Sequence, residues 1–207
     1  MYPKFAKIAP MGVAKLRTKT SVEDYLKAEE ISPVKHEYVD GEVYAMAGTS
    51  DRHNLIAGDL YALLLARLKD SECQPFFGEI KVQVSRSVVY YPDLLVTCEE
   101  EVESPYFRNN PKLIIEVTSP STRQIDRREK LLFYLQMPSV QEYVIVEQHK
   151  MSVEVHRRQP NGGWITHFFN EPSDVVELQS VDLSFPLPDI YRRVKLDKNA
   201  AVYDDEQ

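Results

Sequence analysis

The chain has 207 residues, of which 43% are hydrophobic and 28% charged, and its formal net charge is -7. This composition suits one well-buried core, and the negative charge weighs against broad electrostatic attraction to nucleic acid. No stretch reaches the roughly 20 apolar residues of a membrane helix, and the N-terminus lacks an apolar signal core. We therefore expect a cytoplasmic protein without membrane contact.

The domain organisation is expected to be simple, because we find no internal repeat and no interdomain linker. We expect residues 19–196 to form a single domain, with 1–18 as an N-terminal extension and 197–207 as a polar C-terminal tail. Two cysteines, Cys73 and Cys98, are too few for a disulfide framework and have no metal-ligand spacing. We expect both to be reduced thiols.

The first third of the chain predicts two helices separated by a hairpin. A capping-box spacing that begins at Thr20 predicts a short helix, EDYLKAEE, which ends before Pro33. The segment KHEYVDGEVYAM predicts a hairpin that turns at Asp40-Gly41. From Asn54, apolar residues at steps of three and four predict an amphipathic helix packed on a sheet.

The remainder is dominated by strand patterns. QPFFGEIKVQVS, in which we expect Lys81 on an exposed face, and VVYYPDLLVTC are two strand-like runs, and KLIIEVTS predicts a central strand. RQIDRREKLLFYLQM predicts a helix with Asp126 as its N-cap. VQEYVIVEQ predicts a strand, SVEVHRR and WITHFF a hairpin around 161–163, and DVVELQSVDLSF a last β segment. This order predicts an α/β (α+β) fold, in which helices flank a mixed sheet and extra β-hairpins are added.

Two acidic side chains interrupt apolar strand sequence. Asp93 directly precedes an apolar run, and Glu116 lies between Ile115 and Val117. A buried carboxylate is costly unless a cation meets it, and two neighbouring acids raise at least one pKa. A divalent cation, Mg²⁺ or Mn²⁺, would satisfy both acids and could hold a nucleophilic water. From the residues alone, Asp93 could equally face solvent, and Glu116 could equally form a salt bridge to Lys130.

The acids also carry a resemblance to a known family. Pro92-Asp93, followed by Glu116 on the next strand, resembles the PD-(D/E)XK nuclease signature. More narrowly, HEYVDGEVYAMAG, YPDLLV, IIEVTSPST and EYVIV resemble the Uma2 family of putative restriction endonucleases over about residues 21–147. The resemblance implies a restriction endonuclease-like core and a Mg-dependent endodeoxyribonuclease that hydrolyses DNA phosphodiester bonds.

The resemblance also implies roles for individual residues. Asp93 and Glu116 would bind Mg²⁺ or Mn²⁺, and Glu37 would be an additional acid at the same site. The superfamily pattern places a lysine two residues after the second acid, where this chain has Thr118. In the similar family the cation lies on the following helix, which points to Lys130 as the residue that orients water or stabilises phosphate charge. Two further residues are candidate substrate contacts: His53 and Arg127.

DNA is the expected partner, and several arginines offer it a local basic surface: Arg123, Arg127, Arg128, Arg157, Arg158, Arg192 and Arg193. Because duplex cleavage requires two strand scissions, we expect a homodimer, with Trp164, Phe168 and Phe169 as a candidate contact surface. Two alternatives stay open. One is a catalytically weak or inactive nucleic-acid-binding or interaction module of the same fold, which the negative net charge favours. The other is a scaffold whose acids are structural.

Overall fold

The computed structural model describes residues 19–99, 104–119 and 122–196. The predicted N-terminal extension and C-terminal tail therefore lie outside the described residues. The described helices are α1 (Val22–Glu29), α2 (Asp51–Leu68), α3 (Arg123–Ile125), a π-helical stretch (Asp126–Lys130), α4 (Leu131–Gln136) and two 3₁₀ turns (Gln179–Val181 and Leu187–Ile190). No helix in these ranges combines the length and apolar character needed to cross a bilayer.

The strands fall into two larger sheets and one hairpin. In chain order they are β1 (His36–Val39), β2 (Glu42–Ala45), β3 (Gln74–Phe77), β4 (Lys81–Ser85), β5 (Val88–Tyr90), β6 (Leu94–Thr97), β7 (Phe107–Arg108), β8 (Pro111–Thr118), β9 (Glu142–Glu147), β10 (Val153–Arg158), β11 (Trp164–Phe169), β12 (Val175–Leu178) and β13 (Leu183–Pro186). The six-stranded sheet has the order β11-β10-β9-β8-β6-β3, and the five-stranded sheet has the order β2-β1-β5-β4-β7. Strands β12 and β13 pair with each other.

The six-stranded sheet is mixed, since β8 and β9 run parallel and the other pairs run antiparallel. Helix α2 covers one face, where its residues Ile56, Leu60 and Leu64 join one core cluster with alternate strand residues such as Ile115. On the other face, Ile114 joins a second core cluster with α4 and the five-stranded sheet. Since side chains alternate along a strand, the side chain of Glu116 lies on the same face of the sheet as that of Ile114.

The two runs predicted as single strands each divide between the two sheets. QPFFGEIKVQVS supplies β3 to one sheet and β4 to the other, and Gly78 at the break has φ 59°. VVYYPDLLVTC supplies β5 and β6, and its break is Pro92-Asp93. Proline has no N–H to donate to a ladder, so pairing can end there without an orphaned donor. Asp93 therefore lies where the chain crosses from one sheet to the other.

Helix starts differ from the sequence-based boundaries in two consequential places. Helix α2 begins at Asp51 after its N-cap Ser50, so His53 lies in the first turn and not ahead of the helix. Asp126 is not an N-cap, because helical backbone already begins at Arg123 and Asp126 is 2% exposed inside the continuous segment. The prediction that Asp126 caps the helix was wrong, because a helical turn from Arg123 to Ile125 precedes Asp126.

The hairpin predicted at Asp40-Gly41 is present. Asp40 has φ 49° and Gly41 has φ 91°, and β1 and β2 pair on either side of them. Positive φ at both central residues is typical of the turn whose twist matches paired strands, and aspartate and glycine tolerate it best. The last predicted β segment is instead the hairpin of β12 and β13, joined through a 3₁₀ turn.

Cys73 and Cys98 form a disulfide, which corrects the expectation of reduced thiols. Gln74 of β3 lies opposite Thr97 of β6. The two cysteines are the next residues outward on these antiparallel strands, so the register brings their side chains together. The bond closes the end of this strand pair that lies opposite Asp93.

We predict that alkylation of the denatured, unreduced protein labels neither cysteine, whereas both are labelled after reduction. The bond closes a loop with a sequence separation of 25. Restricting such a loop in the unfolded chain contributes about 3 kcal/mol, so Cys73→Ala/Cys98→Ala should lose about that amount in denaturant unfolding. Labelling of both thiols before reduction would contradict the assignment.

Candidate active site

The structure brings five of the predicted site residues together beside the crossing between the two sheets. Glu37 comes from β1, Asp93 from the crossing segment and Glu116 from β8. Lys130 ends the π-helical stretch, and His53 lies in the first turn of α2. The residues are widely scattered along the sequence, and the fold collects them at one place.

Asp93 and Glu116 are direct neighbours. Leu94 of β6 pairs with Ile115 of β8. Asp93, which directly precedes Leu94, therefore lies beside Glu116, which directly follows Ile115. The backbone N–H of Asp93 lies 3.4 Å from Glu116 Oε2, and Asp93 Oδ2 accepts a hydrogen bond from the Val117 N–H at 2.7 Å. The two acidic residues therefore lie next to each other in the structure.

Lys130 is the cation at the centre of the acids. Its Nζ lies 2.8 Å from Glu37 Oε1, 3.1 Å from Glu116 Oε1 and 3.6 Å from Asp126 Oδ1. Burial alone would lower the pKa of Lys130, but the carboxylates of Glu116, Glu37 and Asp126 outweigh it and hold that pKa well above its usual value. Lys130 is thus an ammonium ion at neutral pH and cannot act as a general base.

Glu116 is a deeply buried acid of the group, with 4% of its surface exposed. Burial raises its pKa well above the usual value, the ammonium of Lys130 opposes the rise, and the nearby charge of Asp93 adds to it. Tyr134 donates a hydrogen bond to Glu116 Oε1 at 3.3 Å. The pKa of Glu116 is therefore set by burial acting against the charge of Lys130, and additional positive charge would favour its ionised form.

His53 connects α2 to the acids. Its Nε2 lies 3.0 Å from Asp93 Oδ2, and its backbone N–H donates to the Ser50 side chain at 3.2 Å. Ser50 in turn donates to Gln148, whose Nε2 donates to the Thr118 carbonyl oxygen at 3.0 Å. The sequence patterns did not single out Gln148. The available signal was a polar side chain directly after the apolar strand EYVIVE.

Two predicted positions lie apart from this group. Thr118, where the superfamily pattern has a lysine, is 1% exposed, and its hydroxyl lies 3.5 Å from the Val146 carbonyl oxygen. Arg127 is bound by Glu147, at 2.8 Å from Oε1, and by Glu154. The structure therefore places Arg127 in a separate ion-pair cluster.

Other arginines expected at the surface are also engaged within the fold. Arg157 pairs with Glu142 at 2.7 Å, and Arg193 pairs with Asp59 at 2.8 Å. Arg158 donates to the carbonyl oxygens of Val140, Leu135 and Met137. The basic surface suggested by the sequence is correspondingly smaller.

A cavity of about 370 Å³ opens beside the acids. Asp93 and His53 form part of its wall, and the aromatic rings of Phe77 and Tyr91 form another part. The cavity connects the candidate site to space large enough for part of a substrate.

The acids meet the requirements of a divalent cation only in part. Within 19–99, 104–119 and 122–196, no group of three or more His, Cys, Asp or Glu side chains could hold a metal ion. Mg²⁺, however, often uses only one or two carboxylates and keeps several waters. Asp93 Oδ2 and Glu116 Oε1 each have two protein partners, whereas Glu116 Oε2 has only the Asp93 N–H at 3.4 Å. Asp93 Oδ1 and Glu116 Oε2 are therefore the less engaged oxygens and suit such a role better.

Comparisons with known proteins find a family model, two relatives and a solved structure that are similar to this chain. Residues 22–188 match the model of the Uma2 family, described as putative restriction endonuclease. An uncharacterized protein of Synechocystis sp. is 36% identical over 176 residues, which are 84% of this chain and 92% of that protein. A second one from the same organism is 32% identical over 170 residues, or 80% of this chain and 96% of that protein.

A solved structure shares the fold. It is the crystal structure of a putative nuclease belonging to DUF820 from Anabaena variabilis, with a TM-score of 0.68 and 20% sequence identity. The match covers 83% of this chain and 97% of that chain. The predicted fold class, a mixed α+β architecture with a nuclease-like core, is confirmed.

We predict that Glu116→Gln stabilises the protein, because the folded pKa of Glu116 lies above its unfolded value near 4.5. Ionisation then costs stability as pH rises through the interval between the two values, and glutamine removes that cost. The melting temperature should rise by about 2–4 °C at mildly alkaline pH, and the difference should shrink as pH falls towards the unfolded value.

Glu142→Gln is the matched control. Glu142 is equally buried, but it accepts from Arg157 and from the N–H groups of Gln179 and Ser180. Neutralising it should lower the melting temperature. Destabilisation by both substitutions would show that Glu116 is only a structural partner of Lys130.

Proposed function

Because the chain belongs to the Uma2 family of putative restriction endonucleases, we propose that it is a metal-dependent endonuclease that hydrolyses DNA phosphodiester bonds. The observation that carries the proposal is that Asp93, in a cavity wall, lies next to Glu116, which is paired with the ammonium of Lys130. Two acids and a buried cation beside an open space are difficult to explain as packing alone.

Asp93 and Glu116 would hold Mg²⁺ or Mn²⁺ through the oxygens left by their protein donors. The bound ion supplies a water of lowered pKa and neutralises phosphate charge. His53 keeps the Asp93 carboxylate in one orientation through its contact with Oδ2 and faces the cavity as a substrate contact. Glu37 holds the ammonium of Lys130 from the other sheet.

The reaction is a hydrolysis. An oxygen of water forms a bond to phosphorus, the bond from phosphorus to the leaving oxygen breaks, and the proton lost by the water is balanced by one gained at the leaving group. Lys130 remains protonated throughout, because its pKa is held well above the usual value. Its role would be to stabilise the negative charge that grows on the phosphate oxygens.

A specific observation favours the alternative of a nucleic-acid-binding or interaction module. All three ion pairs of Lys130 are made within the protein, and its side chain is 7% exposed. A cation so enclosed reaches a phosphate only if the acids reorganise when metal binds. Arg127 could likewise contact a substrate only after leaving Glu147 and Glu154.

The homodimer remains part of the proposal. Strand β11 is an edge of the six-stranded sheet, and it exposes Phe168 (61%) and Ile165 (48%). Such an edge can pair with a second copy. Trp164 and Phe169 contribute less than expected to this surface, because Arg158 covers the Trp164 ring at 4.4 Å and Phe169 packs against the core.

We predict that the protein nicks supercoiled plasmid in the presence of Mg²⁺ or Mn²⁺ and that a chelator abolishes the cleavage. Asp93→Asn should lower the rate by about 10²-fold or more, because it removes a metal-binding charge. Asp59→Asn is the matched control, since Asp59 is also paired, with Arg193, but lies away from the acids. Equal cleavage by wild type and Asp93→Asn would refute the proposal.

Lys130 requires a charge-balanced test. Lys130→Ala alone leaves three carboxylates without their cation, and breaking a buried pair in this way costs about 3–5 kcal/mol. We therefore predict that Glu37→Gln/Lys130→Gln folds, as checked by circular dichroism, and cleaves about 10²-fold more slowly. Glu37→Gln, which keeps the ammonium, should lose much less. Identical rates for the two variants would assign Lys130 a structural role.

A further inference from the structure

We infer that the cavity beside Asp93 is a pocket for one unstacked nucleotide, so that the preferred substrate is a nucleic acid with an unpaired nucleotide next to the scissile phosphate. The inference rests on the proposed nuclease function and adds a substrate class to it. Four features carry it: the aromatic walls, the polar rim, the fixed ring of Tyr91 and the position of the acids.

The aromatic walls suit a nucleobase. Phe77 ends β3 with 39% of its surface exposed, and Tyr91 lines the same cavity. Apolar atoms of Pro33, Met46 and Ala57 complete this part of the lining. Bases stack on such rings whatever their sequence, because every base has two flat π faces. A volume of about 370 Å³ lies at the small end of ligand pockets and fits a single nucleotide unit.

The polar rim indicates a ligand with hydrogen-bonding edges. Asn54 and Thr49 line the cavity and can donate and accept hydrogen bonds. Lys35 also lines it, and its half-buried ammonium is held at 2.9 Å from the Gly78 carbonyl oxygen and 2.6 Å from Glu79 Oε1. Since Glu79 neutralises Lys35 in the same rim, the indication comes from Asn54 and Thr49, which can pair with the edge of a nucleobase and not with a hydrocarbon.

Tyr91 is held in place before any ligand arrives. Its hydroxyl donates to Glu29 Oε1 at 3.0 Å and lies 3.3 Å from the ammonium of Lys81. Both partners are buried, which overturns the expectation of an exposed face for Lys81. The ring is only 5% exposed, and the ammonium groups of Lys35 and Lys81 lie 5.9 and 5.3 Å from its centroid. Tyr91 is therefore a fixed wall of the cavity, and Phe77 supplies the exposed ring on which a base can stack.

The position of Asp93 sets the substrate. It lies in the cavity wall, so a base within the cavity places its own phosphate beside the acids. A paired base is stacked inside the duplex and must be extruded first, and this is easiest for a mismatched, bulged or single-stranded base. The enzyme should therefore cut at unpaired nucleotides in preference to continuous duplex.

The test uses two independent measurements on the full chain. The first is the affinity for thymidine 5′-monophosphate, measured by calorimetry without metal. The second is the ratio of cleavage rates for two labelled duplexes that differ only by one bulged thymidine. We expect measurable nucleotide binding and cleavage at the bulge at least tenfold faster than cleavage of the paired duplex.

Two variants should remove both effects. Phe77→Ala deletes a stacking ring, and Gly48→Leu fills the cavity from a position whose added Cβ would meet nothing within 4 Å. Each should weaken nucleotide binding about tenfold and bring the cleavage ratio towards one. Leu65→Ala is the control, because Leu65 is a large apolar residue exposed on α2, outside the cavity lining.

The two readouts separate the modes of failure. Absence of nucleotide binding in the wild type, or binding that Phe77→Ala and Gly48→Leu leave unchanged, would overturn the pocket even if the protein cleaves DNA. Absence of cleavage together with nucleotide binding that both variants weaken would refute the nuclease function and retain the pocket. Equal cleavage of bulged and paired duplexes would also overturn the inference.

Discussion

The ion pairs of Lys130 are the constraint on which the arrangement depends. One ammonium contacts Glu37 from the five-stranded sheet, Glu116 from the six-stranded sheet and Asp126 from its own helix. The ammonium thus takes one acidic partner from each sheet. Without it, the three buried acids would repel one another. The pairs therefore connect the two sheets and the helix at one point, beside the core cluster that the sheets share, and the candidate site lies where the three meet.

Two of the crossings between the sheets lie at nearly the same place, and they create the open side of the site. Gly78 lies at one crossing and Asp93 at the other, and the Gly78 N–H donates to the Asp93 carbonyl oxygen at 2.8 Å. Strand pairing stops on both segments there, so side chains can face a cavity where a continuous sheet would have closed it. The acid and the cavity thus have one structural origin.

The local sequence was sufficient to predict part of this arrangement. A carboxylate between Ile115 and Val117 required a cationic partner, and the turn at Asp40 and Gly41 required residues that tolerate positive φ. The sheet crossings could not be predicted, because apolar and polar residues alternate with the same period in the strands of both sheets. The disulfide depends on the register between β3 and β6. Such long-range constraints leave no mark on a short window of sequence.

The internal pairing of the arginines has a consequence for how a polyanion would be bound. Arg127, Arg157 and Arg193 are each neutralised by a carboxylate of the same chain. Each phosphate contacted by an unpaired cation releases condensed counterions and steepens the loss of affinity with ionic strength, by a slope of about -0.9 per contact on duplex DNA. Because these three arginines are already paired, they would release few counterions on binding a polyanion. Their share of the affinity should therefore depend only weakly on salt, in contrast to that of an exposed arginine such as Arg128.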